Sequence, residues 1–338
     1  MQLALSLIAL TTLLHQSNAI FDVDTIIRKP AMGSTQWQDT TRLPNGSWTL
    51  TPEPKTNTPT GHGRKWLVAG AHAAVWGASY YTLNQTWYNN YPRSGFHCFN
   101  DNREWLQMDK AGHLWTAYQM SRLSGQAWQW AGFSQRQAAW LGGISGVAYQ
   151  SIIEIQDGLS AEWGFSWGDM TANIVGSALY VVQELTGGEQ KWQIKFSYHP
   201  YPYSADLKYR RNASFGNTLS ERMLKDYNSQ TYWLSANLRS LLPASRLPKW
   251  LNFSLGYSGK GMFGAVHNTW VDKDGLVHDR SDIRRTRHVY LSADVDLTKI
   301  KTNNRLLRTV LYVLNAVKIP APTIEFSRGK IYWHWIYY

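Results

Sequence analysis

The sequence MDKAGHLWTAYQMSRLSGQAWQWA, residues 108–131, decides the fold of the first half of the chain. Its apolar residues recur with helical spacing, and no proline interrupts them. Similar stretches predict three further helices, at about residues 65–83, 135–156 and 167–184. Ser134 and Ser166 are the expected N-cap residues. Residues 64–190 are therefore predicted to form a four-helix domain.

After Gly187-Gly188 the pattern changes to an alternation of apolar and polar residues, which is typical of β-strands. The predicted strands lie at about residues 192–198, 232–238, 251–257, 288–297 and 330–338. One helical stretch at 304–317 interrupts them. We expect residues 191–338 to form a mainly antiparallel β domain that packs on the helices. The predicted fold class is α+β.

The N-terminal residues 1–19 have the form of a secretory signal peptide. An apolar run is followed by the small-residue cleavage pattern Ser17-Asn18-Ala19. Residues 20–63, rich in Thr, Pro, Asn and Gly, are predicted to form an extended lead-in. Cys98 is the only cysteine, so neither an internal disulfide nor a Cys-based metal site can form. No cysteine follows the apolar run to carry a lipid. These features predict an exported protein of the bacterial envelope.

The charge is divided unevenly between the two halves. Residues 1–190 contain 11 basic and 13 acidic residues, whereas residues 191–338 contain 23 and 10. A basic body binds nucleic acid, anionic lipid or an acidic polymer, and export argues against nucleic acid. The expected partner is therefore a membrane surface or an anionic envelope polymer. Protein partners cannot be named from the sequence.

Two local features bear on that partner. Arg284, Arg285 and Arg287 form a basic cluster suited to phosphate or lipid head groups, although such clusters are more often solvated strand edges. The chain ends in an aromatic strand, which resembles the closing strand of outer-membrane proteins but also suits the last strand of a soluble sheet. The predicted location is the periplasm or outer membrane of a Gram-negative bacterium. The predicted helices are too polar to span a bilayer.

Acidic and histidine side chains occur near three predicted helix ends. Asp109 and His113 are four residues apart and share one helix face, as do Asp169 and Asn173. Glu154 lies in an apolar run late in the third helix, where a carboxylate is costly unless it is paired. If successive helices run up and down, these three ends meet. The sequence therefore predicts one cluster.

One histidine with two or three carboxylates can bind a divalent metal ion or act as general acid and base. The hypothetical catalytic or metal-binding residues are Asp109, His113, Glu154 and Asp169, with support from Lys110, Asp157 and Asn173. The alternative is a structural hydrogen-bond network that locks three helices. Asp169 also stabilises the helix dipole without any catalytic role.

These residues carry a family resemblance. The pattern Asp109-Lys110-x-x-His113, then Glu154, then Ser166-Trp167-x-Asp169-Met170 resembles the YfiM-like family of predicted periplasmic proteins. Longer motifs over roughly residues 65–338 resemble its Bacteroidota-type members, among them 87–93, 99–110, 160–169, 225–235 and 294–301. The family has no assigned function, so the resemblance implies envelope location but no reaction.

The helical part is also distantly similar to VanZ-like proteins, which share the Asp-Lys-x-x-His and Asp-x-x-x-Asn helix starts. Those proteins span the membrane and are linked to the envelope glycopeptide response. This chain has polar helices and a β half, so that function is not carried over.

Two hypotheses remain open. The first is a structural or binding protein of the envelope, and the second is a hydrolase or transferase that uses the cluster. An open pocket lined by His113 and Asp169 would favour the enzyme, and sealed packing would count against it.

Overall fold

The computed structural model describes residues 62–89 and 91–337, so the predicted signal peptide and nearly all of the lead-in lie outside the described residues. Four long helices form the first half: α1 (His62–Leu83), α2 (Met108–Trp130), α3 (Gln135–Gly158) and α4 (Trp167–Thr186). The four predicted helices are confirmed. Ser134 and Ser166 cap α3 and α4, each by accepting a backbone N–H three residues ahead. Within the described ranges no helix is long and apolar enough to cross a membrane.

Small residues allow α2, α3 and α4 to cross closely. Gly142 and Gly146 of α3 lie directly against the backbone of α2. A Cβ atom on Gly146 would lie 2.7 Å from the Ala117 carbonyl oxygen and 2.2 Å from the Ser121 hydroxyl. Because real Cβ contacts are longer than this, the crossing requires glycine at residue 146. The helix angles that position the acidic cluster depend on this contact.

The second half is built on one antiparallel sheet, which confirms the α+β class. Its strands are β1 (Trp192–Tyr198), β2 (Gln230–Asn237), β3 (Leu251–Lys260), β6 (Thr286–Val295), β7 (Ala321–Ser327) and β8 (Lys330–Tyr337), hydrogen-bonded in that order. Strands β4 (Thr269–Val271) and β5 (Val277–Asp279) form a separate hairpin. The sequence did not predict β4, β5 or β7. The domain boundary between residues 190 and 191 stays a prediction.

Short helices occupy the connections: α5 (Lys208–Phe215), α6 (Leu219–Lys225), α7 (Leu238–Leu241) and α8 (Arg305–Leu314). Helix α8 ends three residues before the predicted end at residue 317. The following residues pair with β1 instead, because the Phe196 N–H donates to Ala316 O at 3.0 Å and the Lys318 N–H donates to Phe196 O at 2.9 Å.

The polarity of the sheet is inverted. In β6 the polar residues Ser292 and Asp294 are buried, whereas Val289 and Leu291 are 39% and 40% exposed. Strand β3 repeats the pattern: Ser254 is buried while its apolar neighbours on both sides are exposed. The strand prediction from alternation was correct, but the apolar side of the alternation faces outward.

An ion pair lies at the centre of the buried polar face. Asp294 accepts hydrogen bonds from the Lys195 ammonium at 2.9 Å and from the Ser235 hydroxyl at 2.7 Å. Both charged side chains are completely buried. The sheet curls around them, so that the Tyr337 ring in β8 contacts the Trp233 ring in β2 with centroids 6.0 Å apart. A buried charge is tolerated only with such pairing.

Helix α2 covers part of the apolar outer face. The Trp115 ring packs on Phe196 of β1 with centroids 5.3 Å apart, and Phe196 contacts Tyr232 of β2. Gln119 donates to the Ile194 carbonyl at 2.6 Å. The apolar side chains of β3, β6, β7 and β8 project from the same face but are exposed.

We expect Gly146→Ala to destabilise the protein by about 1–3 kcal/mol, because the added methyl group meets backbone atoms of α2. Gly70→Ala in α1 is the control, since no atom of residues 62–89 or 91–337 lies within 4 Å of its Cβ position. Urea unfolding followed by circular dichroism measures both. Equal stabilities for the two variants would contradict the close crossing.

Asp294→Asn should cost about 3–5 kcal/mol of unfolding free energy, because it leaves the Lys195 ammonium buried without a counter-charge. Asp282→Asn, which removes an exposed partner of Arg280, should have little effect. Chemical denaturation of the two variants side by side decides the point. A tolerated Asp294→Asn would mean that the interior is hydrated.

Candidate functional site

Ser166 joins three parts of the acidic cluster. Its backbone N–H donates to Glu154 Oε2 at 3.2 Å, and its hydroxyl donates to Asp101 Oδ1 at 2.6 Å. The same hydroxyl accepts the Asp169 N–H at 3.1 Å, which is the N-cap bond of α4. The cap therefore positions carboxylates from α3, α4 and the loop before α2 at once.

Lys110 neutralises one side of the cluster. Its ammonium lies 2.6 Å from Asp101, 2.9 Å from Asp109 and 3.1 Å from Asp169. Burial alone would lower the pKa of Lys110, but the carboxylates of Asp109 and Asp169 outweigh burial and raise it. These three carboxylates have the spacing of a metal site, and the Lys110 ammonium lies within hydrogen-bonding distance of all of them.

His113 faces the other side of the cluster. Its Nδ1 atom lies 3.5 Å from Glu154 Oε1, 3.2 Å from Asn173 Oδ1 and 3.1 Å from Gln150 Nε2. Ligand atoms of His113, Glu154 and Asp169 all lie within 4.8 Å of one another. This triad has the residue types and spacing to hold one divalent ion.

The carboxyl groups of the triad resist ionisation. Burial raises the pKa of Glu154 to about 8, and the neighbouring Asp169 carboxylate adds to the shift. Burial likewise raises the pKa of Asp169 and that of Asp157 to about 6. Burial alone would lower the pKa of His113, but the nearby carboxylates outweigh it and raise the pKa. The cluster therefore retains protons near neutral pH.

A left-handed turn delivers Asp109 and Lys110 to the cluster. Three consecutive residues before α2 have positive φ angles of 45°, 52° and 63°: Trp105, Leu106 and Gln107. Such conformations cost about 1–2 kcal/mol per non-glycine residue. The β half holds the turn, because Tyr257 donates to the Leu106 carbonyl at 2.5 Å and Arg287 donates to Gln107 Oε1 at 2.8 Å. The start of α2 is thus fixed from the sheet.

The structure brings the predicted residues together: Asp109, Lys110, His113, Glu154, Asp157, Asp169 and Asn173. Asp157 lies to one side, where it accepts a hydrogen bond from Tyr88 at 2.6 Å. The sequence analysis missed Asp101 and Gln150. Gln150 is four residues before Glu154 on the same helix face, which was a usable signal. Asp101 lies in a loop, where no periodicity points to it.

Most of the predicted arginine cluster makes hydrogen bonds to other residues of the protein. Arg285 donates to the carbonyls of Gly264 and Ala265 at 2.6 Å each. Arg287 donates to Tyr257 and Gln107. Arg284 is exposed. Anion or lipid binding at this cluster stays a prediction, which rests on the exposed Arg284 and Arg287.

Comparison with known families adds one finding. Residues 97–184 match the family described as "Predicted periplasmic lipoprotein (DUF2279)". The helical part is similar to an uncharacterised envelope family. The matched range contains the whole acid and histidine cluster, and it supports an exported, envelope-associated protein. No curated protein and no solved structure matches the chain. The similarities to YfiM-like and VanZ-like proteins stay predictions.

The raised pKa of Glu154 predicts a pH dependence of stability. The folded state holds this proton more tightly than the unfolded chain, so its contribution to stability is complete below about pH 4.5 and is lost as pH rises through about 8. In buffer containing EDTA, we expect Glu154→Gln to be more stable than the wild type at pH 9 by at least about 1.4 kcal/mol, the value of one pKa unit.

Urea unfolding at pH 5 and pH 9 measures this difference. Glu162→Gln, an exposed carboxyl on the loop before α4, is the control and should follow the wild type at both values. If the Glu154→Gln variant loses as much stability as the wild type between pH 5 and pH 9, the pH dependence does not come from the carboxyl group of Glu154.

Proposed function

We propose that the protein is a membrane-associated envelope protein that seats the apolar outer face of its sheet in lipid acyl chains. The inverted polarity of the sheet carries this proposal. In a sheet surrounded by water the apolar face is normally packed on a core. Here that face is exposed, while the face with the Lys195–Asp294 pair is enclosed.

The exposed face is continuous across four strands. The strand register aligns Leu255, Leu291, Ile324 and Trp333 in one row, and Val289, Phe326 and Ile331 in the next. Leu234 of β2 and Phe253 of β3 extend this exposed surface. A large contiguous apolar surface of this kind marks a site of interaction with a membrane or with another molecule.

One end of the sheet has the composition of a membrane–water interface. Exposed Trp192 begins β1, Trp250 immediately precedes β3 and Trp335 lies near the end of β8, and the strand pairing places all three toward the same end of the sheet. Tryptophans concentrate at the head-group level of membranes. Exposed Lys249 in the loop before β3 and Lys301 in the loop after β6 add positive charge at this end. Lipid therefore explains this surface better than a soluble anionic polymer, which offers nothing apolar.

Helix α8 supports the same partner. Its apolar residues Leu306, Leu307, Val310 and Leu314 lie on one face and are exposed. Tyr312 lies on the opposite face, where Arg122 stacks over its ring at 4.1 Å. A short amphipathic helix with its apolar face outward and arginines beside it is the form of an interfacial membrane helix.

The second candidate function is an envelope hydrolase or transferase. The convergence of His113 with Asp109, Glu154 and Asp169 favours it. Burial counts against rapid turnover, because Asp169 and Glu154 are almost fully buried and only 19% of the His113 side chain is exposed. The geometry supports binding at this cluster better than access for a large substrate.

We expect the double variant Leu255→Asp/Leu291→Asp to lose at least tenfold in partition to vesicles of phosphatidylethanolamine and phosphatidylglycerol, because each change places a charge in the acyl region. Val277→Asp, at an even more exposed strand residue on the separate hairpin, should bind as the wild type does. Flotation in a density gradient measures all three proteins.

Wild-type flotation should persist in 0.5 M NaCl, because the contact is mainly apolar, and should be weaker on phosphatidylcholine alone. If the wild type does not float, or if both variants float equally, the membrane proposal fails. If the wild type does not float but forms a dimer, and the double variant is a monomer, this face would instead be the contact with a second copy of the chain.

A further inference from the structure

We propose that His113, Glu154 and Asp169 bind one divalent first-row transition-metal ion of the Zn²⁺ or Mn²⁺ class. This site lies in the helices and is independent of the membrane contact. The three side chains come from α2, α3 and α4, so their approach is fixed by the close packing of those helices.

An unpaired buried oxygen is the first observation. Glu154 is 1% exposed, and its Oε2 atom is held by the Ser166 N–H, but among the residues that the structure describes its Oε1 atom has no hydrogen-bond partner and only the longer ion-pair contact with His113. Buried polar atoms without partners are rare in folded proteins. The Oε1 atom lies 3.5 Å from His113 Nδ1, close to the ~3.4 Å that separates two ligands of a tetrahedral Zn²⁺ at bond lengths of ~2.1 Å.

A second unpaired oxygen lies beside the first. Gln150 is 2% exposed, and its amide nitrogen contacts His113 Nδ1 and Asn173, while its Oε1 atom has no hydrogen-bond partner within the described part of the chain. Carboxamide oxygens are good ligands for divalent ions in mixed nitrogen and oxygen sites. One imidazole nitrogen, two carboxylates and a nearby amide oxygen therefore form a sufficient donor set.

The formal charge of the cluster is the third observation. The cluster contains five carboxyl groups, those of Asp101, Asp109, Glu154, Asp157 and Asp169. The Lys110 ammonium contacts Asp101, Asp109 and Asp169 but is not within salt-bridge distance of Glu154. A divalent ion at the triad takes the place of the protons that Glu154 and His113 otherwise retain, on the side that Lys110 does not reach. Asp169 then lies between the two cations.

The donor set selects the class of ion. Imidazole favours transition metals over Mg²⁺ and Ca²⁺, which prefer oxygen ligands alone and retain their waters. The chain offers no cysteine at the triad, so a thiolate site is excluded. The partial exposure of the His113 side chain provides the route by which an ion enters.

The experiment uses the full chain, purified in detergent, stripped with EDTA and titrated with ZnCl₂, MnCl₂ or MgCl₂ at pH 7. We expect one Zn²⁺ or Mn²⁺ per chain by elemental analysis after desalting, and a melting temperature raised by at least about 3 °C at saturation. Mg²⁺ at the same concentration should neither be retained nor shift the melting temperature.

Matched variants separate coordination from general electrostatics. Glu154→Gln and His113→Asn should each weaken metal binding by about 100-fold or more. Asp157→Asn, which removes a carboxylate of the same cluster that Tyr88 holds outside the triad, should change it less than tenfold. Circular dichroism confirms folding of each protein, and His113→Asn provides the test if Glu154→Gln does not fold.

Failure to retain either metal overturns the proposal, and so does an equal loss of affinity in Glu154→Gln and Asp157→Asn. Vesicle flotation is measured on the same proteins. Glu154→Gln should float normally, and Leu255→Asp/Leu291→Asp should still bind metal, so failure of this site and failure of the membrane contact give different results.

Discussion

The buried ion pair between Lys195 and Asp294 is the constraint on which the β half depends. A charge pair in the interior needs polar neighbours to complete its hydrogen bonds, and Ser235 and Ser254 supply them. Once this face of the sheet is polar and enclosed, strand alternation forces the apolar side chains outward. The exposed apolar face is therefore a direct consequence of what the sheet encloses, and it is the feature on which the proposed membrane contact rests.

In the helical half, too, a few close contacts bring charged side chains together. Glycines in α3 and Gly176 in α4 allow both helices to approach the backbone of α2 closely, and this approach brings Glu154 and Asp169 to His113. The Ser166 cap orients two carboxylates, and the strained turn before α2 delivers a third together with Lys110. Most of these residues lie within the range that resembles the periplasmic lipoprotein family, whereas the contacts that hold the strained turn come from the sheet.

The positions of the helices and strands could be predicted from the sequence more accurately than the surroundings of their side chains. Helical spacing located α2 to α4 almost to the residue, and the pairs at i and i+4 placed Asp109 with His113 on one face. Alternation located β6 but did not reveal that Val289 faces outward, because periodicity separates two faces without naming the medium that each one meets. Contacts between residues that lie far apart in the sequence could not be predicted from it either. Lys110 and His113 reach different carboxylates of the cluster, and which ones each reaches depends on the helix crossing angles. Only the packed structure defines those angles.

The most direct test of the account measures what surrounds the outer face of the sheet. Cys98 is the only cysteine, so a Cys98→Ser background allows one nitroxide label at residue 255 or, for comparison, at residue 277 on the hairpin. On vesicle-bound protein, a lipid environment predicts that oxygen relaxes the label at 255 more than a water-soluble nickel complex does, with the reverse order at 277. Equal access of the nickel complex to both labels would contradict the account.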